Sequence, residues 1–203
     1  EITAKISSGD YFGEEAYVQA LATAEDCLNN ATAGTQEDID TATANLEAAI
    51  ANLVKIEIPE NVPEENRLQA GVAGYSLVLE GNIVVKFHMQ IEEGLVTEEN
   101  KENLSMEFTL ANGEDSDPIK SSYEEKNGYY VFECPVPVKD MGTTITGKIV
   151  FNGDGVSKES AAFEYTVQAY IDHMQENSDS YADEITLVEK METFGNSAAP
   201  YFN

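Results

Sequence analysis

Positive charge is scarce in this chain. Eleven Lys and Arg stand against 38 Asp and Glu, for a formal net charge of −27, and Arg67 is the single arginine. Phosphate contacts need clustered Lys or Arg, and anionic bilayers are held by polybasic segments, so nucleic acid and an anionic membrane surface are excluded as partners. Tryptophan is absent, which lowers the odds of the flat indole platform that many sugar-binding faces use. Cysteine is limited to Cys27 and Cys134, too few for a disulfide framework or a zinc site. Both lie in apolar-periodic segments and read as buried small hydrophobes; they fall in different predicted domains, which argues against a bridge between them. The two histidines, His88 and His173, have neither an H-x-x-x-H spacing nor a cysteine neighbour, and read as ordinary surface residues.

Long apolar runs are missing too. None approaches the roughly 20 residues that cross a bilayer, so no membrane insertion by this segment is expected. The start, Glu1-Ile2-Thr3, carries neither Met nor an apolar leader and reads as that of an excised or processed piece. There is no G-x-S-x-G elbow, P-loop or G-x-G-x-x-G. Among 38 carboxylates some pair lies at glycosidase spacing by chance, so no acid–base pair can be named. The expectation is a chain that is not an enzyme.

What is present can fold. Hydrophobic residues make up 42% of the chain, with 10 Tyr and 8 Phe, enough for a core despite the charge. Tyr17, Leu21, Ala24 and Leu28 form one stripe of an amphipathic helix. Residues 29–34 break it. A second helix is predicted from Thr35, a good N-cap followed by acidic residues on the positive end of the helix dipole, with the stripe Ile39, Ala42, Leu46, Ala49, Ile50 and Leu53. The short connection makes the pair antiparallel. Pro59 and Pro63 then end helical texture, so the predicted division is a helical module over 1–54, a Pro-containing linker over 55–69, and a third region over 70–203.

In that third region the period drops to two. Ile83, Val85, Phe87, Met89 and Ile91 alternate with polar-face residues, a half-buried strand. The same alternation recurs in Tyr75/Leu77/Leu79, Leu104/Met106/Phe108/Leu110, Tyr130/Phe132/Cys134/Val136, Ile145/Ile149/Phe151 and Phe163/Tyr165/Val167, with a lesser candidate over 119–123. Turn signals such as Asn127-Gly128 separate the runs. About seven such strands describe an antiparallel immunoglobulin-like β-sandwich. A short helix at 171–175 and a longer one from Ile185, with Gly195 allowing close approach and Pro200 ending it near Ala199, are expected to pack on the sandwich. The fold class is α+β and multidomain.

Two stretches resemble known families. Tyr17 to Leu21, Thr35 to Asp40 and Leu46 to Leu53, in that order, resemble a FIVAR repeat, a small helical module of secreted and wall-attached bacterial proteins. The run Gly74-Tyr75-Ser76-Leu77-Val78-Leu79-Glu80-Gly81-Asn82-Ile83, with Phe87 and the closing segment Lys190 to Phe202, resembles an uncharacterised β-rich domain of large secreted proteins of gut Clostridia. Pro200 departs from the closing pattern of that domain. The resemblances imply an extracellular or cell-wall location and no catalytic residues.

Three functional expectations follow. Tyr129 alternates with Tyr130 and Phe132 and is expected on the outer face, with Tyr123 of the preceding strand beside it; together they would make a planar ligand-binding patch for a glycan, against the plainer reading that they only cover the sheet. The loops 112–117 and 152–155 are dense in oxygen ligands, which makes Asp115, Asp117 and Asp154 candidates for an opportunistic calcium ion. Neither loop matches the EF-hand pattern, and turn chemistry explains both without an ion. The functional expectation is a monomeric, non-catalytic module for display, adhesion or contact with a glycan or another surface protein. The alternatives are part of a polysaccharide-degrading enzyme, or a plain spacer.

Overall fold

The computed structural model describes residues 9–30, 35–78, 83–111, 117–153, 155–177 and 185–198. It divides into two compact units, 1–57 and 58–203.

In the first unit, α1 (Glu14–Asn29) and α2 (Gln36–Ala51) pack together, and the two-residue strands β1 (Tyr11–Phe12) and β2 (Val54–Lys55) pair antiparallel. The start of α2 follows from Thr35. Its Oγ1 accepts from the Asp38 N–H at 3.3 Å while the Asp38 carboxylate accepts from the Thr35 N–H at 2.8 Å, a reciprocal capping box. Tyr17, Ala42 and Ala49 are buried, but Leu28 is 72% and Ile50 51% exposed. The predicted stripes therefore run wider than the contact: the shared core gathers where the start of α1 meets the end of α2, around Tyr17, Leu21, Leu46 and Ala49, and two small-residue helices bury little beyond it.

The second unit is an eight-stranded sandwich. One sheet has the order β3 (Ala70–Val78), β4 (Ile83–Ile91), β8 (Tyr129–Val136), β7 (Tyr123–Lys126); the other has β10 (Val156–Tyr165), β9 (Ile145–Gly153), β5 (Leu104–Leu110), β6 (Ile119–Ser121). All the pairings between these strands are antiparallel. Taken in chain order, this is the immunoglobulin plan of A-B-E-D facing G-F-C, with β6 as an added C′ strand. The count exceeds the expected seven because the stretch 119–126 is two strands: it pairs with β5 up to Ser121, then crosses to the opposite sheet and pairs with β8 from Tyr123.

The strict alternation of β4 becomes alternating burial along its whole length. Phe87 and Phe132 from one sheet meet Met106, Phe108 and Ile149 from the other, all fully buried, with the Phe87 and Phe108 rings 5.1 Å apart. Asn127 and Gly128 both have positive φ, the two-residue hairpin geometry that an Asn-Gly pair favours. Two helices close the unit. Helix α3 (Val167–Glu176) buries Val167, Ile171 and Met174, and α4 (Ile185–Ala198) buries Met191. Val167, expected in a strand, opens α3 instead, because the Thr166 Oγ1 accepts from the Ala169 N–H at 2.9 Å and turns the chain. A Cβ on Gly195 would stand 3.4 Å from the side chain of Met141, the residue that follows the single helical turn Val138–Asp140, so α4 approaches the chain closely there. Pro200 lies outside the described residues.

Residues 58–69, read from the sequence as part of a linker, run against the sandwich. Leu68 is fully buried, its N–H donates to the Glu159 carbonyl at 2.9 Å, and Arg67 donates through Nε to the Val62 carbonyl at 2.8 Å.

Candidate functional site

Strand register decides the fate of the expected tyrosine patch. Tyr123 stands opposite Phe132, and Tyr129 opposite Lys126. Opposed residues share a face and successive residues alternate, so Tyr123 shares the inward side with Phe132 and Tyr130, while Tyr129 lies on the outer side with Val131 and Glu133. The two tyrosines do not form one plane. The Tyr123 ring meets Tyr130 edge-on at 5.0 Å and Phe132 at 6.0 Å. Its hydroxyl is held above the usual tyrosine range by burial first, then by Glu125 and Tyr130. It borders a cleft of about 480 Å³ lined by Glu98, Lys101, Glu102, Leu104, Ser122 and Glu125. A second cleft, of about 520 Å³, shares Ser122 and Tyr123 with the first and reaches Val84, Val131 and Pro135. In the first, Lys101 is paired with Glu98 at 2.8 Å, and that hydrogen bond holds the Glu98 carboxyl below the usual range.

The calcium expectation mostly leaves the structure's reach: Asp115 and Asp154 lie outside the described residues, and Asp117 is exposed at the entry to β6. Among the described residues, no three His, Cys, Asp or Glu side chains gather as a metal site would need. Cys27 is half-buried; Cys134 is buried in the sandwich core, with its thiol pushed up to about 12 by burial.

A third cleft, of about 630 Å³, was not legible from the sequence. It lies where the edge strands β3 and β10 face each other across the two sheets, with α3 along one side. Tyr75 and Tyr165 stack there with ring centroids 3.6 Å apart and planes within 10°. Both stand opposite fully buried residues, Phe87 and Ile145, so their rings lean over the inner face at the open side of the sandwich. Phe87 meets the Tyr75 ring edge-on at 5.0 Å. The α3 cap at Thr166 sets the helix phase that places Tyr170, His173 and Met174 along the cleft, with Gly74, Ser76 and Ala169 completing it. A register shift at Ala73, between Val72 and Gly74, marks a bulge just before Tyr75; bulges re-aim side chains in this way. Burial, aided by Tyr75 and Tyr170, pushes the Tyr165 hydroxyl up to about 12, and burial raises Tyr75 also. No side chain lining this cleft among the described residues is Lys, Arg, Asp or Glu.

Ser76 joins the cleft to the outer face through a 2.8 Å hydrogen bond to His88 Nε2. A serine on an imidazole is the start of a nucleophile–base pair, but the surroundings oppose that role. His88 is held below the usual imidazole range by burial, then by Lys126 and Lys86. Those cations disfavour the imidazolium that a general base must become, where a triad would place a carboxylate.

The sequence signal for the cleft was present but undirected. Tyr75 and Tyr165 occupy inward positions on the first and last strands of the sandwich, and Tyr170 and His173 have the i, i+3 spacing of one helix face; nothing local says that those strands meet.

No family model matches this chain, and no curated protein matches it. A solved structure titled as the crystal structure of a Br derivative of BhCBM56 covers 51% of this chain and 96% of that chain, at 11% identity and a TM-score of 0.31, a likeness too loose to carry an argument about fold or ligand here.

Proposed function

We propose that this chain is a non-catalytic module of an extracellular or cell-wall-associated bacterial protein, a FIVAR-type helical unit followed by an immunoglobulin-like sandwich, and that the sandwich contacts a glycan in the cleft of Tyr75, Tyr165 and Tyr170. One observation carries the glycan reading: three tyrosines surround a hydroxyl-lined cleft of about 630 Å³ that holds no charged lining residue among those described, in a protein with 38 acidic side chains. Aromatic rings accept the C–H faces of sugars while hydroxyls satisfy the sugar's own hydroxyl groups. Support for the modular reading comes from the break between 57 and 58 and from the two helices on the residues that carry the FIVAR resemblance. Against catalysis, Glu98 titrates downward instead of upward, where a general acid needs a raised value, and His88 sits among cations.

A glycan array spanning plant, mucin and cell-wall polysaccharides tests the reading. Binding is expected, and is expected to fall in Tyr170→Ala while Tyr123→Ala leaves it intact. Silence across the array refutes glycan contact. Loss in Tyr123→Ala with retention in Tyr170→Ala moves the site to the two clefts that Tyr123 borders. Near-native melting curves for both variants keep misfolding out of the comparison.

A further inference from the structure

We propose that the tyrosine cleft selects uncharged saccharides and discriminates against glycans bearing carboxylate or sulfate groups; this rests on the cleft being a glycan site. The lining decides it. Tyr75, Ser76, Tyr165, Tyr170 and His173 offer hydroxyl and imidazole groups, which both donate and accept, while Gly74, Ala169 and Met174 contribute no charge. An anionic ligand group desolvated there would find no Lys or Arg among the described lining residues, and an uncompensated buried charge is costly. Lys86, which stands opposite Ser76 across the sheet, is already bound to Glu133 at 2.6 Å. His173 is the one lining side chain able to carry a positive charge. The net charge of −27 acts in the same direction at long range, but salt screens it over roughly 8–10 Å, whereas the missing partner inside the cleft is not restored by salt. The cleft beside Tyr123 differs, because Glu98, Glu102 and Glu125 outnumber Lys101 there; charge separates what the two clefts can hold.

The experiment is calorimetric titration of the full chain with matched ligand pairs at low and high salt. The pairs are galacto- and galacturono-oligosaccharides, xylo-oligosaccharides with and without a glucuronic acid branch, and desialylated and sialylated mucin glycans. The titrations are run at pH 8, above the roughly 6.5 of an ordinary imidazole. The neutral member of a pair is expected to bind with salt-independent affinity lost in Tyr170→Ala. Its acidic partner is expected to bind about tenfold more weakly or worse, about 1.4 kcal/mol, at both salt concentrations. An acidic member that binds as well as its neutral partner, or a gap that closes at high salt, overturns the selectivity and leaves the glycan reading standing. No binding by either member of any pair, or binding indifferent to Tyr170→Ala, overturns the glycan reading of this cleft itself.

Discussion

Gly147 gives the sharpest test of the sandwich that holds the cleft. It lies mid-strand in β9, opposite Phe108 of β5 and Phe163 of β10. A Cβ placed there would collide with the Met106 methyl and stand 2.8 Å and 3.0 Å from two carbons of the Phe108 ring. Met106 and Phe108 are both fully buried, and Phe108 is backed by Phe87 at 5.1 Å, so one added methyl must displace the aromatic centre of the core. Overpacking of this kind costs about 1–3 kcal/mol, partly offset by the roughly 0.5–1 kcal/mol that a strand gains when Gly becomes Ala. The net expectation for Gly147→Ala is a loss centred on about 1 kcal/mol and no larger than about 2.5 kcal/mol, at roughly 2–4 °C in melting temperature per kcal/mol for a unit of this size. The assay is thermal and urea unfolding followed by circular dichroism. Gly142→Ala is the control: nothing lies within 4 Å of its Cβ position and its φ is not positive, so stability should be unchanged or slightly raised. Met106→Leu, which withdraws the nearest methyl, should restore part of the loss in the double variant. A Gly147→Ala protein as stable as the parent, or one that Met106→Leu leaves unrelieved, would refute the packing argument.

Three further outcomes are expected. Tyr165 should stay protonated well past the ordinary tyrosine value of 10.0, ionising near 12; because its folded value is raised, its contribution to stability is complete below pH 10 and lost as pH climbs through that interval, and ultraviolet difference titration of the parent against Tyr165→Phe would expose a normal phenol if the burial is wrong. His88 has a lowered folded value, so its contribution is present above the ordinary 6.5 and is lost as pH falls below it toward the folded value; NMR titration of its ring proton should give a midpoint under 6.5, and a midpoint at or above that figure contradicts the placement beside Lys86 and Lys126. Thr35→Ala removes the capping box of α2 and should cost the helical unit about 1 kcal/mol, measured as an earlier loss of helical dichroism; an unchanged transition would mean that tertiary contacts alone fix the start of that helix.

Residues whose roles are set by near neighbours could be placed from the sequence. The alternation from Ile83 to Ile91 fixes which side of β4 is buried because a strand's period is two. Asn127-Gly128 fixes a hairpin because only residues tolerant of positive φ fit a two-residue turn. Thr35 and Asp38 fix a helix start through a bond spanning three residues. Where the outcome depended on the amount of partner surface, local pattern overreached: Leu28 continues the stripe of Tyr17 and Leu21, yet it stays exposed outside the cluster those two share with Leu46 and Ala49 of α2.

The candidate site belongs to the tertiary structure. Tyr123 and Tyr129 are six positions apart and look like companions, but a two-residue hairpin sets Tyr123 against Phe132 and Tyr129 against Lys126, and that register sends them to opposite faces. Tyr75 and Tyr165 are 90 positions apart, each indistinguishable in its own strand from an ordinary inward aromatic. The immunoglobulin connection order brings the first and last strands to the same open side of the sandwich, where the two rings stack and α3 adds Tyr170. Periodicity encodes which way a side chain faces; which distant side chains it then meets is decided by strand order and register, because those are properties of the whole sandwich packing at once.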